Sequence, residues 1–196
     1  MRSIKIKNIM VPLAEYATVS QDASLYDAIM ALEKAQAGFD RTRYTHRAIL
    51  VLDHGSQVIG KLSQIDVIRG LEPGYRNAET PPEIKHWGLG KKTIETMMKD
   101  LHLWQLPLED ICKKTSLIKV SDIMHTLAEG EFVSQDASLD EAIHQFVMGK
   151  HQSLLVVDNN RVIGILRLTD VFATLIQIIS QCELPIDQTA KVDDDD

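Results

Sequence analysis

The chain has 196 residues, 44% of them hydrophobic and 25% charged, which is the balance of a globular protein with material for a real core. The formal net charge is −7, but the aspartates at 193–196 carry four of those charges, so the body is only mildly acidic. That excludes the clustered basic surface a broad nucleic-acid footprint needs, and it leaves room for a local basic pocket.

The opening residues 1–7 alternate apolar and polar side chains, which is not the pattern of a signal peptide. The most apolar stretch, 171–179, is broken by Thr174 and Gln177 and is too short to span a bilayer, so no membrane role is expected. Cys112 and Cys182 stand 70 positions apart without metal-ligand spacing, so no metal site is expected. Two ordinary thiols in a reducing compartment fit a cytoplasmic protein.

Along the chain the organising fact is an internal repeat. Residues 4–29 match 118–143 at an offset of 114, with 16 of 26 positions identical. The match resumes at offset 105 (46–53 with 151–158) and at 104 (60–67 with 164–171), so the first copy holds nine extra residues after its first helix. Each copy opens on an alternating segment ending in Ile9-Met10 or Ile123-Met124, then a short extended piece reaching Val19 or Val133. Ser24 and Ser138 are N-cap candidates for amphipathic helices bearing Leu25, Ile29 and Leu32, or Leu139, Ile143 and Phe146. Two strands follow, 48–52 and 58–62 or 154–157 and 162–166, joined by tight turns at Asp53-His54-Gly55-Ser56 and Asp158-Asn159-Asn160. A second helix starts near Ile65 or Thr169.

Between the copies, Pro73-Gly74 and Pro81-Pro82 mark a loop. Thr93 is a cap candidate for a helix with Ile94, Met97, Met98 and Leu101 at helical spacing, and Pro107 suits the first turn of another helix through Cys112. These apolar residues and Trp104 are expected to pack on the repeats, with partner docking as the alternative. The expected division is 1–71 first copy, 72–117 helical insertion, 118–184 second copy and 185–196 a solvated acidic tail. The fold class is α+β: two strand-helix-strand-strand-helix units, neither able to bury much core alone, packed about a pseudo-twofold axis around a central cleft.

The first copy closes on Gly60-Lys61-Leu62-Ser63-Gln64-Ile65-Asp66, the second on Gly164-Ile165-Leu166-Arg167-Leu168-Thr169-Asp170. In this order and with these helices, both copies resemble the cystathionine-β-synthase (CBS) motif, and the pair resembles a Bateman module. The family pattern is a glycine, two apolar residues, Ser or Thr, two variable residues and Asp. Lys61 departs from it at an apolar position, and Arg167 replaces the hydroxyl residue.

The resemblance implies a regulatory module that is not an enzyme, with an adenine nucleotide (AMP, ADP or ATP) as regulatory ligand and no catalytic cofactor. A carboxylate at a helix start can accept both hydroxyls of a ribose, which points to Asp66 and Asp170; the competing role is a helix cap. The Ser63 hydroxyl can bond a ribose or phosphate oxygen. His46 and Arg47, leading into the strand that Ala48 begins, are placed to face phosphate, as is His151 in the second copy. Arg41 and Arg43 add cations nearby, or form a solvated basic loop. The resemblance builds an adenine slot from Thr18, Val19, Phe132, Val133 and the second strands. Arg167 could meet a phosphate or spend itself on an ion pair, so the two pockets should differ.

An enzyme is disfavoured because the sequence has no nucleophile elbow, standard phosphate loop or metal-binding His pair at helical spacing. A ligand-free dimerisation or docking scaffold is the alternative function. A homodimer is expected through the closing helices: Val171, Leu175, Ile178 and Cys182 suit the core, while Phe172, Ile176 and Ile179 form a second apolar stripe. The insertion is the competing cover for that stripe. Any regulated effector is expected to be a separate chain.

Overall fold

The computed structural model describes residues 3–37, 46–72, 74–75, 90–104 and 109–181. Arg41, Arg43, the prolines at 73, 81, 82 and 107, Cys182 and the acidic tail lie outside the described residues.

The first copy contributes β1 (Val11–Pro12), β2 (Thr18–Ser20), α1 (Leu25–Ala37), β3 (Ala48–Leu52), β4 (Val58–Ser63) and α2 (Gln64–Leu71). The insertion holds α3 (Lys91–Asp100) and α4 (Glu109–Leu117). The second copy supplies β5 (His125–Thr126), β6 (Phe132–Ser134), α5 (Leu139–Gly149), β7 (Ser153–Asp158), β8 (Arg161–Arg167) and α6 (Leu168–Ser180). The expected unit and turns are present. Asp53 Oδ1 accepts from the amides of Gly55 and Gln57, each at 2.8 Å, and closes the first hairpin. The second turns through Asn159 and Asn160, at φ 46° and 64°, the left-handed region asparagine tolerates.

Ser24 and Ser138 lead their helices as expected. Ser24 Oγ accepts from the Asp27 amide at 3.1 Å, while the Asp27 carboxylate takes the Ser24 amide and hydroxyl in return. In the second copy the Glu141 carboxylate accepts from the Ser138 amide at 2.8 Å. Thr93 is not a cap: α3 starts after Gly90, which has extended φ −65° and ψ 149°, and Thr93 falls inside the first turn. The expectation that the insertion's apolar residues pack inward needs correction in part: Met97 and Leu101 are half-buried, the others are not. α4 packs on α1 and α2, but Ile94, Met98 and Trp104 remain about 40% exposed, and Leu103 buries in their place. Trp104 is held by polar contacts, its amide donating to Glu72 Oε2 at 2.8 Å and its indole to Tyr75 Oη at 3.2 Å.

The two sheets run β2-β3-β4-β5 and β1-β8-β7-β6, so each copy's leading segment completes the other copy's sheet. β1 pairs antiparallel with β8, with Val11 opposite Ile165 and Pro12 opposite Gly164. β5 pairs with β4, with Thr126 opposite Gly60 and His125 opposite Lys61. Cores follow the exchange: Ile6 is fully buried among Val133, Leu139, Phe146, Leu154 and Leu166, and Val120 among Leu25, Ile49, Val51 and Leu62. Each such Leu or Ile contributes about 1.5–3 kcal/mol. A third cluster of Val11, Tyr16, Leu50, Leu155 and Ile165 joins the two sheets.

The exchange explains the motif glycines. A Cβ on Gly164 would stand 2.5 Å from the Val11 carbonyl oxygen and 3.0 Å from Met10 Sδ. One on Gly60 would stand 2.5 Å from Met124 Sδ and 3.1 Å from the His125 carbonyl oxygen. In both copies the visiting strand lies where a side chain would begin.

Candidate functional site

The closing strands β4 and β8 deliver α2 and α6 with their N-termini on one cleft of about 840 Å³, towards the upper end of ordinary small-molecule sites. Its walls include Arg47, Ala48, Ser63 and Asp66 from the first copy, and His151 and Arg167 from the second. Thr18, Val19, His46, Phe132, Val133 and Asp170 are not in that lining.

At α2, Ser63 is the N-cap and Asp66 the third helical residue. Asp66 Oδ2 accepts from the Ser63 amide at 2.9 Å and its hydroxyl at 2.5 Å, and Ser63 Oγ accepts from the Asp66 amide at 3.3 Å. The cap occupies one carboxylate oxygen. The other, Oδ1, stands 3.8 Å from Nη1 of the exposed Arg69, beyond hydrogen-bond distance.

At α6 the same positions are arranged differently. Arg167 Nε donates to Asp170 Oδ2 at 2.6 Å and Nη2 to Asp170 Oδ1, a bidentate pair with both side chains about nine-tenths buried. Arg167 is an N-cap without a side-chain cap bond, so this helix start has a guanidinium where α2 has a hydroxyl. Arg167 makes the ion pair, one of the two roles open to it, and it also lines the cleft.

His46 is fully buried, with Tyr16, which does line the cleft, packed edge-on against it at 4.3 Å between ring centres and 72° between planes. Its repeat partner His151 lines the cleft, because the counterpart of Tyr16 there is Gly130, which has no side chain to cover it. Burial pushes the Tyr16 hydroxyl up to about 12, against the opposing charge of Arg167 and a backbone hydrogen bond at Ala48. Val19 and Val133 face the two cores, and Phe132 packs against the cluster between the sheets.

Sequence reasoning missed a second polar group in the cleft. Lys61 Nζ donates to Glu131 Oε1 at 2.6 Å; Glu131 Oε2 lies 3.1 Å from His125 Nε2 and accepts from the Ala128 amide at 3.2 Å. Burial raises the Glu131 pKa, but the bonds from Lys61 and Ala128 and the charges of Lys61 and His125 outweigh it and hold the carboxyl below its ordinary range. The repeat equivalents of Lys61 and Glu131 are Ile165 and Ala17, both buried. The pseudo-twofold axis thus relates a charged pair to an apolar one. The available signal was Lys61 itself, a cation at an apolar motif position. Lys150 is a further cation on the wall, held at φ 54° by the end of α5.

Among the described residues there is no cluster of three metal-ligating side chains, and no helix is long and apolar enough to cross a membrane.

Comparison with known proteins bears on this geometry. No curated protein sequence matches the chain. Among solved structures, the fold is similar to that of CBSX2, a CBS-pair protein of Arabidopsis thaliana solved in complex with AMP, at 20% identity and a TM-score of 0.57, covering 89% of this chain and 97% of that one. A CBS domain-containing protein of unknown function from Bacillus anthracis is 18% identical with a TM-score of 0.57, covering 90% of this chain and 95% of that one. The CBS domain of a bacterial CNNM/CorC-family Mg2+ transporter, solved with ATP, is 14% identical with a TM-score of 0.55, covering 89% of each chain. At these identities the likeness concerns the fold alone. The model of the CBS domain itself matches residues 6–73 and 120–177, the two repeat copies, and the chain belongs to the CBS domain family.

Proposed function

We propose that this CBS pair is a regulatory module rather than a catalyst, and that it binds an adenine nucleotide in the cleft between its two copies. The observation that carries the reading is the Ser63–Asp66 cap at the α2 N-terminus, with one carboxylate oxygen left over on a cleft wall that also presents Arg47. In this reading Asp66 Oδ1 and the Ser63 hydroxyl take the ribose hydroxyls. Arg47 meets phosphate, with His151 and Lys150 on the facing wall, and the positive end of α2 favours the anion. Ala48 borders the base. The AMP and ATP found with similar folds support an adenine ligand in general.

Ligand occupancy has a route to partner binding. On α6, Val171, Leu175 and Ile178 pack into the second core, while Phe172, Ile176 and Ile179 stay exposed, as do Ile65 and Ile68 on α2. Ile65 and Phe172 belong both to these exposed apolar faces and to the cleft wall. A nucleotide seated between the helix starts would therefore touch the surface through which a second copy docks, and an isologous dimer would cover it.

A thermal-shift screen with AMP, ADP, ATP, NAD and S-adenosylmethionine tests the reading. A ligand at 100 times its Kd adds about 2.7 kcal/mol, or roughly 5–11 °C in Tm for a chain of this size. Stabilisation by none of the five leaves the scaffold reading, and turnover of any of them contradicts a non-catalytic role.

A further inference from the structure

We infer that Arg167 closes the second-copy half of the cleft to ribose, so that the chain binds one nucleotide, at Asp66, and not two. The inference deepens the functional reading above and rests on it. The repeat supplies two carboxylates at equivalent helix positions, and an 840 Å³ cleft spanning both copies does not by its size restrict occupancy. What separates the halves is the use of the carboxylates. Asp66 gives one oxygen to its own cap, and the other has only the 3.8 Å contact with the exposed Arg69, beyond hydrogen-bond distance. Asp170 gives both oxygens to the guanidinium of Arg167.

A ribose diol is neutral, and its two donors replace a charged bidentate fork only at the cost of leaving Arg167 buried beside an occupied carboxylate. The exchange is unfavourable at both ends. The same substitution removes the hydroxyl that Ser63 provides in the first copy. The charged Lys61–Glu131 pair, matched by apolar Ile165 and Ala17 across the axis, shows that the cleft is asymmetric in a second place. Arg167 is thereby a specificity-determining residue that acts through Asp170.

The test is equilibrium dialysis of the full chain with radiolabelled AMP, read as ligands bound per chain at saturation. Wild type should bind one. Arg167→Ser recreates the Ser63–Asp66 pairing at α6 and frees Asp170, and should raise the number to two; Asp66→Ala combined with Arg167→Ser should return it to one. Circular dichroism establishes that each variant is folded, and Arg167→Gln, closer in size, is the second variant if the serine one is not. Two AMP per wild-type chain overturns the inference and leaves the functional reading standing. A folded Arg167→Ser that still binds one overturns it as well. Wild type that binds none of AMP, ADP and ATP at millimolar concentration defeats the functional reading itself.

Discussion

Replacing Asp66 by Asn and by Ala separates the two jobs assigned to this carboxylate. Oδ2 serves the cap, at 2.9 Å from the Ser63 amide and 2.5 Å from its hydroxyl, while Oδ1 takes no part in it. An asparagine carbonyl can stand in for Oδ2 and keep the cap, but its NH2 places a donor where the ribose hydroxyls need an acceptor. Stability should change only through the lost charge at the helix N-terminus, about 0.3–1 kcal/mol, or roughly 1–4 °C in Tm. Affinity should fall by the worth of a hydrogen bond to a charged group, about 1.5–3 kcal/mol, which is roughly 10- to 150-fold in Kd. Alanine removes both, adding a cap loss of about 0.5–2 kcal/mol to the same affinity loss. Calorimetric titration with AMP, paired with scanning calorimetry of the free proteins, reads the two quantities independently. An asparagine variant that binds AMP as wild type does would refute the assignment of Oδ1 to the ligand.

The other predictions address the frame around the site. Gly164→Ala should cost about 2–3 kcal/mol and Gly60→Ala about 1, because the new methyl meets the Val11 backbone oxygen in one case and chiefly the movable Met124 side chain in the other; thermal melts that show no loss at either site would contradict the strand exchange. Glu131 has a folded-state pKa below its ordinary 4.5, so its contribution to stability is complete above that value and is lost as the pH falls through the folded one. Denaturant titrations from pH 6 to 3 should show that loss in wild type and a flatter profile in Glu131→Gln, and parallel profiles would remove Glu131 from the account. Phe172→Glu with Ile176→Glu should shift the particle seen by light scattering from twice the 22.0 kDa chain mass towards one. Wild type at one chain mass at micromolar concentration would refute the dimer.

How much of this was legible depended on whether the determining contact was local. The capping serines, the hairpin turns and the two faces of α6 are short-range patterns, and the sequence carries them openly. The exchange of β1 and β5 was not legible, because a strand of two residues has no periodicity to read and its partner is chosen by tertiary packing. Lys61 and Glu131 are 70 positions apart, so neither announces the other. His46 read as a ligand because its neighbours matched the motif; the contact that buries it comes from Tyr16, 30 positions earlier. Arg167 was visible as a departure from the pattern, but its buried pair with Asp170 is not something spacing reports.

The most direct test of the central claim is a crystal structure of the protein grown with AMP. The account predicts the nucleotide in the cleft between the copies, its ribose hydroxyls within hydrogen-bond distance of Asp66 and Ser63, its phosphate towards Arg47, and the Arg167–Asp170 pair intact. AMP bound at a different surface, or a cleft that stays empty at millimolar AMP, ADP and ATP alike, would contradict it.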